Sequence, residues 1–377
     1  MIKEFSFINL FRAIAAFWVL AAHCMIWGDW YGIPLPSAKI AVDLFMMISG
    51  YLMAANAFAR KDFEPLTMWK NWVKFWFRRF FRLAPAYYIS LALAIIFSHY
   101  FLEGYHELQS LNPGKWPSGS VYDPERIHFT LNNILIHLSF LFGLHPTYSF
   151  STFLPDWSLS LEMQFYFCFP FLYLLMQKYG FLRVAVLIGF PIFLVGMWIS
   201  KFIHFYEPSL ILLKLNYFIA GILLFRILIS NSNFKRIALT FCALVLISLE
   251  LNYGKQVIVS PILFLIMLSL GWLELTNRTP SWISFLVNNR LTKFSSNSSY
   301  GVYLFHGFFI SAFGLILFKN MYLLALPSYQ RVCIMFIFVT ILAYLVAYLV
   351  YLFIEQPGIN FGKSVIKKIS RKTTDIL

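Results

Sequence analysis

The chain has 377 residues, of which 60% are hydrophobic and only 12% are charged, and its formal net charge is +14. A soluble domain would carry about 25% charged residues, so this composition excludes an ordinary soluble globular protein. The aromatic content of 20% is typical of the lipid-facing surface and interfacial belts of a membrane protein.

Repeated apolar runs of about 20 residues predict an all-α integral membrane protein with about ten transmembrane helices in one bundle. We expect one membrane domain over residues 1–360 and a short basic cytoplasmic tail over 361–377. A cleavable signal peptide is not evident, so the first span is expected to be retained. The segment 131–145 is apolar but short, which favours a re-entrant or interfacial position. The predicted spans are 8–27, 38–58, 84–102, 157–177, 181–200, 208–229, 236–252, 256–275, 299–319 and 331–354.

Two ionisable residues, Arg12 and His23, lie within the first predicted span. Ionisable side chains inside an apolar span are costly and mark a functional site by default. Eleven helical steps return His23 to within about 20° of Arg12, roughly 16 Å further along the axis. A single histidine in a span is often only a packing residue, but its pairing with Arg12 on one face favours a site that extends into the membrane.

The distribution of basic residues predicts the orientation. Of the 30 Lys and Arg residues, 21 fall on the side of the N-terminus, seven fall on the other side, and Arg12 and Lys214 lie within spans. Because basic residues concentrate in cytoplasmic loops, both termini are predicted to be cytoplasmic. Topology and attraction to anionic membrane lipid explain the positive charge, so no nucleic-acid partner is expected.

A basic segment precedes the third predicted span on the cytoplasmic side. Its basic residues alternate with tryptophans and phenylalanines, which is typical of an amphipathic helix on anionic lipid. A site for a phosphate-containing ligand is the other interpretation, and the two are compatible. Arg79 and Arg82, three residues apart, share a helix face and could bind phosphate oxygens through paired hydrogen bonds. The basic residues are Lys70, Lys74, Arg78, Arg79 and Arg82.

The four cysteines are far apart and lie in apolar segments. Their spacing fits neither a zinc site nor a disulfide framework, so we expect core residues and no metal site. They are Cys24, Cys168, Cys242 and Cys333.

Six motifs in chain order resemble those of one family, the bacterial acyltransferase 3 integral-membrane O-acyltransferases. The first is the Arg-x10-His pair in span one. Glu-Met-Gln at 162–164 in place of the common Glu-Glu-Gln, and Ala84 at a usually larger position, are mild departures. The other five motifs are AVDLFMMISGYL at 41–52, FRRFFRLAPAYY at 77–88, WSLSLEMQFY at 157–166, SYGVYLFH at 299–306 and FIEQP at 353–357.

The resemblance implies transfer of an acyl group, usually acetyl from acetyl-CoA, to a hydroxyl of a cell-envelope glycan at the bacterial inner membrane. The expected partners are therefore acyl-CoA, membrane lipid and an envelope glycan. Acyl-CoA would be a co-substrate and not a tightly bound cofactor. Succinyl-CoA is an alternative donor, while the acceptor sugar and the oligomeric state stay open.

The chemistry suggests a role for each candidate residue. A hydroxyl that attacks a thioester needs a general base, and histidine is the usual choice, so His23 is assigned as the base, with Arg12 as a further catalytic residue on the same helix face. Asp43 either stabilises its helix N-terminus or orients His23 as a carboxylate does in a catalytic triad. The donor phosphates are assigned to Arg78, Arg79 and Arg82.

The later ionisable residues are assigned supporting roles. Glu162 is either the ion-pair partner of a buried arginine or a catalytic acid. His306 and Glu355 are expected to hold the late helices together, although Glu355-Gln356-Pro357 also resembles a simple helix end. Lys214 is a further buried cation.

A secondary transporter is the alternative function. Ten spans with buried charge also fit a proton or substrate relay through Arg12, Asp43, Glu162 and Lys214. Transporters often consist of two related halves, and the sequence shows no such internal symmetry. Release of free thiol from acetyl-CoA by the purified protein would distinguish an enzyme from a transporter.

Overall fold

The computed structural model describes residues 6–116, 127, 129–152, 154–249 and 251–374. Over these ranges the chain is all α, without a β-strand, which confirms the predicted fold class. The α-helices are α1 (Ser6–Trp27), α2 (Ala38–Ala59), α3 (Trp69–Ile96), α4 (Ser98–Ser110), α5 (Leu131–Leu138), α6 (Trp157–Tyr179), α7 (Phe181–Val184), α8 (Phe190–Ile199), α9 (Leu215–Leu228), α10 (Asn233–Ser248), α11 (Val259–Leu275), α12 (Ser281–Asn288), α13 (Arg290–Phe318), α14 (Met321–Leu324), α15 (Ser328–Val350) and α16 (Gln356–Thr374).

Eight helical stretches within the described ranges are long and apolar enough to cross a membrane. The sixth and seventh predicted spans, 208–229 and 236–252, correspond to shorter helices, α9 and α10, of 14 and 16 residues. A helix of 14 residues is about 21 Å long, against a hydrocarbon core of about 30 Å. The number of ten spans and the side of each terminus stay predictions.

The third predicted span, 84–102, differs from the structure at both ends. Helix α3 begins at Trp69 and runs without interruption through the basic segment and past Pro85 to Ile96. A second helix, α4, follows from Ser98. Long basic side chains keep their apolar stems along a helix while their charges reach outwards, so the basic residues do not end the helix. Arg78, Arg79 and Arg82 therefore belong to the same helix as the apolar part.

One compact unit consists of residues up to Ala15, 39–76 and 161–296. Its centre is α9, in which every residue except Arg226 is buried. Helices α2 and α9 are in backbone contact through glycine. A Cβ atom on Gly221 would lie 1.9 Å from the carbonyl oxygen of Met47, and one on Gly50 would lie 2.1 Å from that of Phe218. These glycines allow α2 to approach α9 closely.

The same unit fixes the beginning of α1. The backbone N–H groups of Ser6 and Phe7 each donate to the Glu274 carboxylate, at 2.8 Å. An anion at a helix N-terminus satisfies donors that have no partner within the helix and interacts favourably with the helix dipole.

The second compact unit consists of residues 16–38, 77–160 and from 297 onwards. Helices α4 and α13 touch at Gly104, where an added Cβ would lie 2.2 Å from the Ser311 carbonyl oxygen. The Ser311 hydroxyl donates to the Phe101 carbonyl at 2.9 Å. This contact holds α13, which carries His306, against α4.

The helix continues through Glu355-Gln356-Pro357, so the interpretation of this motif as a simple helix end is wrong. Residues 351–355 form a π-helical turn, and α16 starts directly at Gln356. A π turn inserts one extra residue into the helix. Pro357 comes just after this turn, so the N–H that proline lacks falls where the regular hydrogen-bond ladder of the helix is already interrupted. Gly358 of α16 then packs against Pro85 of α3 within the second unit.

Candidate active site

His23 and His306, both in the second unit, are joined by a hydrogen bond. Nδ1 of His23 lies 2.7 Å from Nε2 of His306. The two ring planes differ by 12° and the ring centroids are 5.0 Å apart, as expected when two imidazoles meet edge to edge. His306 is buried, at 1% exposure, whereas His23 is partly exposed. His23 is therefore the member of the pair that a substrate can reach.

The hydrogen bonds assign the tautomers of this pair. Nδ1 of His306 lies 3.1 Å from the Val302 carbonyl oxygen, which can only accept a hydrogen bond, so this nitrogen carries the proton. In a neutral imidazole the other nitrogen is then an acceptor, and Nε2 of His306 must accept from Nδ1–H of His23. Nε2 of His23 consequently keeps its lone pair, as a general base requires.

Two further contacts fix the surroundings of His306. The Ser158 hydroxyl, near the start of α6, donates to the Tyr303 hydroxyl at 2.8 Å, and the Tyr303 ring lies 6.3 Å from the His306 ring. The Tyr105 hydroxyl donates to the carbonyl of Gly307 at 2.9 Å. Packing and hydrogen bonds from α4 and α6 thus position the buried imidazole.

Asp43, in the first unit, forms an ion pair with Lys214. The Lys214 ammonium lies 3.1 Å from Asp43 Oδ1 and 3.4 Å from Oδ2, and both side chains are buried. Removal of one partner of such a buried ion pair strongly destabilises a protein. In the second unit, Nδ1 of His23 is hydrogen-bonded to His306, whereas the sequence analysis assigned this orienting role to Asp43. The catalytic roles of His23, Arg12 and Asp43 stay predictions.

A second ion pair, Lys39 with Glu207, lies close to the first in the same unit. Their charged atoms are 3.0 Å apart. Burial raises the pKa of Glu207, while the positive charges of Lys39 and Lys214 act in the opposite direction. Lys214 therefore interacts with carboxylates from α2 and from the 200–214 segment.

Glu162 of α6 accepts hydrogen bonds from two hydroxyl groups. Ser49 of α2 donates to Glu162 Oε1 at 3.0 Å, and Tyr166 donates to the same oxygen. The sequence analysis offered a buried arginine as partner or a role as a catalytic acid. The two hydroxyl groups hold the carboxylate in place, and the role of Glu162 stays a prediction.

The remaining candidate residues lie on α3, on α1 and in the π turn before α16. Arg78, Arg79 and Arg82 are partly buried on α3, while Lys70 at the start of that helix is exposed. Arg12 is partly buried on α1, in the first unit. Glu355 is buried in the π turn before α16.

Sequence reasoning missed a buried polar cluster in the second unit. The Asp156 carboxylate accepts hydrogen bonds from the hydroxyls of Tyr87, at 2.9 Å, and Thr152, at 3.0 Å. His137 Nε2 lies 3.8 Å from Asp156 Oδ2, and His137 Nδ1 donates to the Asn133 carbonyl at 2.8 Å. Burial raises the pKa of Asp156 and lowers that of His137. The available signal was a histidine inside the short apolar segment 131–145 and an aspartate directly before the fourth predicted span.

Comparison with known proteins gives a family and three relatives. A family model described as an acyltransferase domain matches residues 5–352. The chain is 32% identical to the acyltransferase MdmB of Streptomyces mycarofaciens over 142 residues, which are 37% of this chain and 30% of that protein. It is 29% identical to the peptidoglycan O-acetyltransferase OatA of Listeria monocytogenes over 169 residues, which are 45% of this chain and 24% of that protein.

A third relative is the putative membrane-bound transacylase BcsY of Komagataeibacter xylinus, 32% identical over 142 residues, or 35% of this chain and 30% of that protein. The chain thus matches a third or less of the length of these relatives. No solved structure matches the chain significantly. Because the family model extends over nearly the whole sequence and the structure is an all-α, multi-pass membrane protein, the chain belongs to the acyltransferase 3 family of membrane acyltransferases.

Proposed function

We propose that this protein is an inner-membrane O-acyltransferase that moves an acetyl group from cytosolic acetyl-CoA to a hydroxyl of a cell-envelope glycan. The observation that carries the proposal is the hydrogen bond from His23 Nδ1–H to His306, which leaves the lone pair of His23 Nε2 available. The relatives OatA, a peptidoglycan O-acetyltransferase, and BcsY, a putative transacylase, both support acyl transfer, and OatA supports a glycan acceptor.

The proposed reaction is a direct transfer. The acceptor hydroxyl oxygen attacks the thioester carbonyl carbon while His23 Nε2 removes the hydroxyl proton. The tetrahedral intermediate then expels the CoA thiolate, the carbon–sulfur bond breaks, and His23 returns the proton to that sulfur. His306 accepts the Nδ1–H bond throughout, so it keeps the ring oriented while Nε2 gains and loses the proton.

The donor site is proposed at the arginines of α3. CoA carries several phosphate charges, and guanidinium groups bind phosphate oxygens through paired, charge-assisted hydrogen bonds. Arg78, Arg79 and Arg82 are partly buried, which favours ligand binding over a purely lipid-facing position. Positive residues mark the cytoplasmic side, where acyl-CoA is present. Arg12, on the same helix as His23, is proposed to assist the transfer.

The transporter alternative is less well supported. It required Arg12, Asp43, Glu162 and Lys214 to act as one relay. In the first unit Asp43 and Lys214 form a tight ion pair, and Glu162 accepts from the hydroxyls of Ser49 and Tyr166. The family to which the chain belongs consists of acyltransferases.

The decisive experiment compares His23→Ala with His204→Ala in purified protein reconstituted in nanodiscs. His204 is exposed in the segment between α8 and α9 and serves as a matched control. Thiol release from acetyl-CoA in the presence of isolated envelope glycan should be lost in His23→Ala and kept in His204→Ala. Wild-type turnover by His23→Ala would contradict the assignment of His23 as the base. The absence of thiol release by the wild-type protein would contradict the proposed enzymatic function.

A further inference from the structure

An aromatic cluster lies one helical turn beyond His23, at the end of α1. Trp27 follows His23 by four residues, so both side chains lie on one helix face with Cβ atoms about 6 Å apart. The Trp27 ring is stacked on Trp116, with centroids 4.6 Å apart and planes within 3°. It also contacts the Tyr105 ring, with centroids 4.5 Å apart. We refer to Trp27, Tyr105 and Trp116 as the aromatic platform.

The aromatic platform is connected to the histidine pair. Tyr105 packs against Trp27, and its hydroxyl donates to the carbonyl of Gly307, the residue next to His306. All of these residues belong to the second unit. A molecule that rests on the platform therefore lies beside the helix face that carries His23.

Polar groups surround the platform. The Lys115 ammonium donates to the Ile26 carbonyl at 2.9 Å, also contacts the Tyr31 hydroxyl, and lies 3.9 Å from the Asp29 carboxylate. The Asn112 amide donates to Asp29 at 3.1 Å. The side chains of Asp29 and Lys115 are each 27% exposed, so this polar edge retains access to solvent.

Asp29 lies in the cap that ends α1. Its φ angle is 52°, a left-handed conformation that commonly follows the last turn of a helix and that aspartate tolerates better than most side chains. The Trp30 N–H donates to the Met25 carbonyl at 3.2 Å, which closes this cap. Here Asn112 and Lys115 hold the carboxylate in place at the edge of the platform.

An interfacial aromatic belt is the simpler explanation, and the geometry argues against it. Belt residues place their rings against lipid and their polar ends in water, whereas Trp27 is buried, at 5% exposure, beneath a second indole. Asp29 and Lys115 carry opposite charges 3.9 Å apart, so the edge has no net charge that would select the phosphates of lipid or of CoA. The combination fits a neutral ligand that has an apolar face and several hydroxyl groups.

We infer that the aromatic platform, with Asp29 and Lys115 at its edge, is the subsite that binds a pyranose ring of the acceptor. The apolar C–H face of the sugar would pack on the stacked indoles beside the Lys115 ammonium, which lies 4.9 Å from the Trp116 ring centroid, while Asp29 accepts hydrogen bonds from sugar hydroxyls. This inference rests on the proposed function, because it names where the acceptor of that reaction binds. No bond is made or broken at the platform, which only positions the sugar near His23.

Binding can be measured without catalysis. Wild-type protein in nanodiscs, without acyl-CoA, would be titrated with neutral oligosaccharides that end in glucose, galactose, rhamnose or N-acetylglucosamine, and followed by saturation-transfer NMR and tryptophan fluorescence. At least one sugar should bind, with affinity at least tenfold lower in Trp116→Ala and Asp29→Asn. Trp116→Phe, which keeps a ring, should retain most of the affinity, and Trp198→Ala, an exposed tryptophan of α8, should match the wild type.

Three results would overturn the inference. They are failure of every sugar in the panel to bind, affinity unchanged by Trp116→Ala, and a Trp27–Trp116 fluorescence signal that follows the anionic lipid content of the nanodisc instead of added sugar. The last result would identify an interfacial belt. Thiol release from acetyl-CoA, measured on the same samples, separates the two proposals. Sugar binding without thiol release would contradict the proposed function alone, and thiol release with platform-independent sugar binding would contradict this subsite alone.

Discussion

Nδ1 of His23 and Nε2 of His306 lie 2.7 Å apart, although 283 positions separate the two residues in the chain. His306 in turn donates to the Val302 carbonyl on its own helix. The proposed base is therefore oriented by a buried imidazole where catalytic triads use a carboxylate. A neutral partner orients His23 without placing an unpaired negative charge inside the protein, which would be costly there.

Replacement of His306 tests this orientation directly. His306→Ala removes the acceptor for His23 Nδ1–H, so both tautomers and several ring orientations become available. We expect kcat to fall by about 10²-fold or more, within the usual range of general-base contributions, with little change in the KM for acetyl-CoA. His306→Gln keeps an acceptor oxygen and should retain more activity than His306→Ala. Equal activities for the two variants would contradict the positioning role.

The Asp43–Lys214 pair should be needed for stability. Lys214→Met leaves a buried carboxylate without its cation and should destabilise the protein by about 3–5 kcal/mol. The double variant Asp43→Asn/Lys214→Met removes both charges and should recover part of that loss. Thermal unfolding in detergent measures the effect, with Lys201→Met as the control because Lys201 is exposed. A double variant no more stable than Lys214→Met would exclude this charge explanation.

The donor site can be tested by removing single guanidinium groups. Arg79→Ala or Arg82→Ala should each weaken CoA binding by about 1.5–3 kcal/mol if a charge-assisted hydrogen bond to phosphate is lost. Lys70→Ala should have little effect, because Lys70 is exposed at the start of α3. Calorimetric titration with CoA measures the three affinities. Equal losses for all three variants would identify a lipid anchor, with the CoA site elsewhere.

The His137–Asp156 cluster should make stability depend on pH. Because burial lowers the pKa of His137, its contribution is present above the unfolded value of 6.5 and is lost as the pH falls through the folded value. Asp156 acts with the opposite sign, since its raised pKa stabilises the fold below 3.8 and loses that effect as the pH rises. The midpoint temperature of thermal unfolding should fall less steeply between about pH 7.5 and about pH 5 in His137→Gln than in the wild type. Identical slopes would show that His137 does not titrate on unfolding.

The topology predicts that the acyl group crosses the membrane during one turnover. The arginines of the donor site fall on the predicted cytoplasmic side, and the segment between α4 and α6 falls on the other. Acetyl-CoA sealed inside oriented liposomes should therefore acetylate an acceptor that is supplied only outside. Transfer that requires donor and acceptor on the cytoplasmic side would exclude this route.

The long helices, such as α1, α2 and α6, could be predicted because each is a continuous apolar run that is visible in the local sequence. Two features could not be predicted in this way. Helix α9 is surrounded by protein and can be short, so the window of about 20 residues overestimated it as 208–229. The partner of His23 was unpredictable because its hydrogen bond joins α1 to α13, and periodicity within either helix carries no information about that contact.

The candidate site could also be predicted only in part. His306 was identified from the SYGVYLFH motif, but only as a support for the late helices. His137 and Asp156 escaped notice because they lie 19 residues apart in a segment without regular spacing, and the fold alone brings them together.

The glycine contact between α2 and α9 has a consequence for genetic screens. A methyl group at position 50 or 221 would collide with a carbonyl oxygen of the opposite helix, so alleles such as Gly221→Ala should score as loss of function although neither residue takes part in acyl transfer. A mutational scan that ranks positions only by how poorly they tolerate substitution would give these glycines the same rank as His23. Protein abundance in the membrane separates the two classes, because the glycine alleles should be depleted by quality control while a His23 allele accumulates normally.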